Sequence, residues 1–155
     1  MSGPGKIWIK ESEVANRSWG SPILLKSRVH LYNFDIDVPK LKPEHEKFLS
    51  EKVIPALANN REARVILSGS ASRSGENNHN NVLSAARAES VSNRLSAAGV
   101  GGVQITDTIG LGSPRIGPIE DEGDRAVFIL ISYPITMKRS PFALTIGPES
   151  WYGTT

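Results

Sequence analysis

The chain has 155 residues, 39% of them hydrophobic and 22% charged. That length suits one domain, and the composition is too apolar and too weakly charged for a disordered chain. Lys plus Arg number 18 against 16 Asp plus Glu, so the net charge is +2, far from the basic surface of a nucleic-acid binder. No apolar run approaches the roughly 18 residues of a membrane helix.

Cysteine is absent, which excludes disulfides, thiol catalysis and cysteine-ligated metal clusters and leaves the compartment open. Residues 1–6 have no apolar stretch behind Lys6, so no signal peptide is read. A protein that stays inside, one exported by a route that needs no such signal, and a piece of a longer chain all fit that beginning.

In chain order, residues 1–27 read as an N-terminal extension. Ile7, Trp8 and Ile9 predict a short strand, and Trp19–Pro22 a turn. Arg28–Phe34 predicts the first strand of the main domain, with Val29, Leu31 and Asn33 on one face and His30, Tyr32 and Phe34 on the other. Residues 35–40 read as a loop. Pro43, followed by Glu44 and Glu46, marks a helix start, continued by the stripe Phe48, Leu49, Val53, Ile54 and Leu57. Pro55 has no N–H for residue 51, so a kink or a second short helix is expected there.

Arg64–Ser68 is the next predicted strand, and 69–80 a polar loop. A second helix is predicted over about 82–98, its stripe Ser84, Ala88, Val91, Leu95 and Ala98 made of mostly small residues that let it sit close to a sheet. Gly99 supplies its C-terminal cap. Val103–Thr108 predicts a third strand and 110–123 a loop. The continuous apolar run 126–133 predicts a central strand buried on both faces. Residues 134–155 form a C-terminal tail with a short apolar piece, Phe142–Ile146, and a second aromatic end at Trp151 and Tyr152.

No catalytic constellation is visible. Gly69–Arg73 fails two of the three fixed positions of a serine-hydrolase elbow. Gly110–Arg115 starts like a dinucleotide loop but lacks the third glycine and the helix after it. His30, His45 and His79 have no metal-ligand spacing. The acidic run Glu120–Asp124 reads as a solvated loop, not a calcium site. The chain is therefore read as a non-enzyme, without cofactor or metal.

One constellation does carry information. Gly69-Ser-Ala-Ser72-Arg-Ser-Gly75 is followed by Asn80, then Leu83-Ser-Ala-Ala-Arg87-Ala88, Val91 and Leu95 to Val100. With Phe34-Asp35, Leu41–Glu44, Gly110–Pro114 and Asp124-Arg-Ala-Val127, this pattern resembles the OmpA-like (OmpA/MotB C-terminal) domain family over roughly residues 28–132.

The resemblance implies an α+β sandwich, β-α-β-α-β-β, with two helices on one face of a mixed sheet of about four strands. It assigns 28–133 to the domain, leaving 1–27 and 134–155 as appendages. It also implies non-catalytic binding of peptidoglycan through the free end of diaminopimelate, a zwitterion whose ammonium suits a carboxylate and whose carboxylate suits an arginine fork. Carried over residue by residue, Arg87 is the arginine, Asn80 the asparagine and Arg125 the last-strand arginine. The family's aspartate falls on Ser72, which brings no charge, and its second arginine of the last-strand pair falls on Ala126. Arg87 has a competing role as an ion-pair partner of Asp124 or Glu76, and Asn80 as a helix cap.

Two functions follow. One is a peptidoglycan anchor with Arg87, Ser72, Asn80 and Arg125 lining the site. The other is a protein-interaction module with a degenerate glycan site, working through its N-terminal extension and C-terminal tail in a larger bacterial assembly, such as a secretion or contractile injection apparatus. Nucleic acid and membrane span are not expected.

Overall fold

The computed structural model describes residues 3–14, 24–73, 76–114, 120–134 and 149–151. The expectations for Trp19–Pro22 and for Phe142–Ile146 lie outside these residues. The elements are β1 (Lys6–Val14), β2 (Leu24–Tyr32), α1 (Pro43–Phe48), a π-helical turn (Leu49–Val53), α2 (Ile54–Asn59), β3 (Arg64–Ser70), α3 (Asn77–Ala97), β4 (Ile105–Gly110), β5 (Ala126–Pro134) and β6 (Glu149–Trp151).

The strands form one mixed sheet in the order β4-β3-β5-β2-β1-β6. β3 and β4 are parallel, and the other neighbours are antiparallel. The expected α+β sandwich is present. The sheet has six strands instead of about four because β1 pairs along its whole length with β2, and β6 adds to β1 at Trp8–Lys10.

Alternation in each strand separates two faces. Ile7, Ile9, Val29, Leu31, Val65, Leu67, Val127, Ile129 and Ile131 point into the core, where they meet Phe48, Leu49, Val53, Leu57, Ala88, Val91 and Leu95 from the helices. Phe34 was expected on the opposite face to Val29 and Leu31, yet it is fully buried in the same core. The reason is Asn33, whose φ of 59° ends β2 and breaks the alternation.

Pro55 has the expected effect. α1, the π turn and α2 follow one another without a break, and the Ile54 N–H donates to the Leu49 carbonyl five residues back. The wider turn removes the demand for a donor at Pro55 and relieves its ring from the Glu51 carbonyl. α3 starts five residues before the predicted position 82. Its first turn, Asn77–His79, is exposed and carries no periodic signal. Gly99 ends it as expected, with φ +94°, while the Val100 N–H caps the Leu95 carbonyl. β4 begins two residues later than predicted, because 101–104 form a turn closed by Gln104 N–H on the Gly101 carbonyl.

α3 lies against β3 and β4 at backbone distance. A Cβ on Gly69 would overlap the Ser84 carbonyl, and one on Gly110 would lie 2.7 Å from the Ala85 nitrogen. The small-residue stripe and the strand glycines are two halves of one contact.

Candidate functional site

The exits of β2 and β3 meet the inner face of α3. Asn80, Ser84 and Arg87 recur at helical spacing on that face, and all three are buried. Arg87 is 0% exposed. Its Nε donates to the Val38 carbonyl at 3.1 Å, Nη1 to the Ser70 carbonyl at 3.0 Å and Nη2 to the Asp35 carbonyl at 2.9 Å. Its guanidinium carbon lies 5.5 Å from the Phe34 ring centroid. The expected alternative partners, Asp124 and Glu76, do not pair with it. Among the described residues it has no carboxylate within salt-bridge distance.

Arg125, at the entry to β5, is tied into the same segment. Nε donates to the Phe34 carbonyl at 2.6 Å, Nη2 to Asn33 Oδ1 at 2.8 Å, and Nη1 meets Glu120 Oε1 at 3.5 Å. The two guanidiniums thus hold neighbouring carbonyls, those of Phe34 and Asp35. Burial, and then the charge of Arg125, lower the Arg87 pKa to about 10, while Asp37 and Glu120 act in the opposite direction. Arg87 remains a cation at neutral pH, in a place short of negative charge.

Ser72 is buried two residues beyond the Ser70 carbonyl that Arg87 holds. Asn80 is buried in the first turn of α3; the helix begins at Asn77, so Asn80 is inside it and does not cap it. Its Nδ2 donates to Ser113 Oγ at 3.2 Å. The Ser84 hydroxyl accepts the Gly112 N–H at 2.8 Å, and the Ala71 N–H donates to the Gly112 carbonyl at 2.8 Å. The structure therefore joins Arg87 with Arg125 through residues 33–35, and Asn80 with the 111–113 segment on the other side of Ser72.

Sequence reasoning missed residues 33–38, which the site arginines grip. Asn33 and Asp37 have φ of 59° and 58°. Both belong to the residue types that tolerate a left-handed backbone, and that was the available signal. The segment is braced by Lys42 Nζ on Asp35 Oδ1 at 3.0 Å and by His79 Nε2 against Asp37 Oδ1 at 2.9 Å. A cleft of about 330 Å³ adjoins it, walled in part by Gly3, Pro4, Asp35, Val38 and Lys42. Among the described residues no His/Asp/Glu group could hold a metal ion, and no helix is long and apolar enough to cross a membrane.

A sequence model of the OmpA family matches residues 33–127. The fold is similar to the peptidoglycan-associated lipoprotein from Burkholderia pseudomallei, with a TM-score of 0.60 at 22% identity over 66% of this chain and 88% of that one. It is similar to the OmpA-like domain of FopA1 from Francisella tularensis, with a TM-score of 0.58 at 19% identity over 80% of each chain. The cell wall anchor of the T6SS from Pseudomonas aeruginosa gives 0.54 at 18% identity over 79% of this chain and 87% of that one. No curated protein matches the sequence significantly.

Proposed function

The chain belongs to the OmpA family, and from that premise we propose that it is a non-catalytic module that anchors to peptidoglycan, with Arg87 receiving the carboxylate at the free end of diaminopimelate. The observation that carries this reading is the buried pair Arg87–Arg125, in which Arg87 has no carboxylate partner among the described residues. Three of its hydrogen bonds go to backbone carbonyls, and a guanidinium carries five N–H groups, so donors remain for an incoming carboxylate. Such a ligand supplies the negative charge the site is short of. In this reading Ser72, Asn80 and Arg125 complete the ligand site. Likeness in fold to a peptidoglycan-associated lipoprotein and to a cell wall anchor supports the reading. In this proposal residues 28–133 are the binding domain, to which the 1–27 segment adds β1 and the 134–155 tail adds β6.

Two features weaken the grip. Arg87 is fully covered, so a ligand reaches it only when the 35–38 or 71–73 segment moves aside. Ser72 offers the ligand's ammonium no charge. A charge-assisted hydrogen bond contributes about 1.5–3 kcal/mol, so binding is roughly ten- to a hundredfold weaker than with a carboxylate there. The covered, carbonyl-bound state of Arg87 favours a second reading, a protein-interaction module of a larger bacterial assembly.

Co-sedimentation with diaminopimelate-type sacculi separates the two. The expected result is weak pelleting of the wild type, stronger pelleting of Ser72→Asp, and competition by free diaminopimelate. Arg87→Lys, checked for folding by circular dichroism, loses the interaction. A folded wild type and a folded Ser72→Asp that both stay in solution would overturn the anchor and leave the protein-interaction module.

A further inference from the structure

Cross-strand rows line the sheet face turned away from the helices. Register places Trp8, His30, Phe128 and Ser68 in one row, Lys10, Arg28, Leu130 and Ile66 in the next, with Glu149 paired to Lys10 at its edge, and Lys26, Ser132 and Arg64 in a third. Phe128 lies on β5, which has neighbours on both sides, and is still 39% exposed. The first two rows wall a groove of about 330 Å³. Its floor is apolar, and the cations Arg28, Lys26 and Arg64 border it. Among the described residues none of these three has a carboxylate partner; Arg64 donates only to the carbonyls of Arg61 and Ala63.

The cations stand at one end of the groove; at the other, the acidic 120–124 loop meets His30, whose Nε2 lies 2.9 Å from the Gly123 carbonyl, so an occupant finds matching charge for its carboxylates only at the Arg28 end. A second copy would match this charge only by setting its 120–124 loop on the cationic end, and in that loop Glu120 and Glu122 are already paired with Arg125 and Lys6. The chain's own segments outside the described residues contain Arg17, Arg115, Lys138 and Arg139 and not one Asp or Glu, so they bear the same sign. Nucleobases need open ring faces, but the His30 ring is stacked between Tyr32 at 4.6 Å and Phe128 at 4.5 Å. We propose that this face docks an acidic, aliphatic-rich segment of a partner protein, its apolar side chains over Phe128, Leu130 and Ile66 and its carboxylates on Arg28, Lys26 and Arg64. The site is independent of Arg87, which lies under α3 on the other side of the sheet.

The test is a nuclear magnetic resonance titration of the isotope-labelled chain with a synthetic amphipathic peptide of leucine and glutamate. Saturable shifts of β2, β3 and β5 amides are expected, with α3 amides unmoved. The double variant Lys26→Glu/Arg28→Glu, surface changes whose folding a thermal melt confirms, should weaken binding about tenfold. Absence of saturable shifts in the wild type would overturn the proposal. So would wild-type affinity in the double variant, or equal shifts with a serine-for-leucine peptide or a single-stranded oligonucleotide, which would reduce the face to a bare attraction for polyanions.

Discussion

His45 is a fully buried histidine whose two ring nitrogens have opposite duties. Nδ1 accepts the Lys42 N–H at 3.2 Å, so the proton sits on Nε2, which donates to the Tyr32 carbonyl at 2.8 Å. Its ring stacks on Phe34, and Gly5 passes so close that a Cβ there would lie 2.7 Å from Nε2. A second proton would destroy the Nδ1 acceptor and place a charge in the core. Burial accordingly pushes the pKa down from 6.5 to about 4. Between those values the unfolded chain takes up a proton that the folded one refuses, so stability falls as pH drops from about 6.5 towards 4. At pH 4.5 the loss from this group is about 2–3 kcal/mol, at 1.36 kcal/mol per pH unit. Urea unfolding at pH 7 and pH 4.5 measures it. His45→Gln, which keeps a donor and an acceptor, should flatten the difference. Ser27 is the opposite case. Its hydroxyl is buried on the core face of β2 without a hydrogen-bond partner among the described residues. Ser27→Ala should raise the free energy of unfolding by about 1 kcal/mol, because a desolvated and unmatched hydroxyl is removed.

At the scale of elements, the contact between α3 and the sheet is set by missing side chains. Gly69→Ala puts a methyl group into the backbone of Ser84 and Ala88, atoms that cannot rotate away. The helix must lift from β3, which unpacks Val91 and Leu95 below it. A loss of about 3 kcal/mol or more is expected. Gly101→Ala, with nothing among the described residues within 4 Å of its added Cβ, should change the melting temperature little, and the pair of melts checks the argument. The helix half of this contact was legible in the sequence as a stripe of small residues; the sheet half was not, because Gly69 and Gly110 read as the first residues of loops and lie in β3 and β4. The Pro55 irregularity was legible for an equally local reason, a missing donor. The first turn of α3 was not. Asn77, Asn78 and His79 face solvent, and hydrophobic periodicity says nothing about a turn that buries nothing. Arg87 itself was legible from its motif. Its acceptors were not, since they are carbonyls of Asp35, Val38 and Ser70, backbone atoms that tertiary packing delivers and no residue type announces.

For the whole molecule, the sheet is wider than its central β4-β3-β5-β2 portion, and the added strands do not hang from it as an appendage. β1 sends Ile7 and Ile9 into the shared core at 1% and 0% exposure, next to Val29 and Leu31 on β2. Around its start, Gly5 N–H donates to Glu44 Oε1 at 2.8 Å, the Pro4 carbonyl accepts from Asn33 Nδ2 at 2.9 Å, and Lys6 pairs with Glu122 at 3.0 Å. The N-terminal segment thus braces Asn33, which in turn holds Arg125 at the candidate site. Removing residues 1–14 takes away two buried isoleucines, worth about 1.5–3 kcal/mol each, and leaves the β2 edge unpaired over a row of apolar side chains. Domains of this kind have about 5–15 kcal/mol in total, so the loss is a large share of the whole. The truncated chain should show a broadened or absent thermal transition and should bind a dye specific for exposed apolar surface. Ile9→Ala in the full chain, expected to cost about 2–5 kcal/mol by leaving a cavity, tests the same claim without creating an open edge. A sharp transition of the truncated chain at an unchanged midpoint would show that the domain is complete from β2 onward and that β1 is only laid against it.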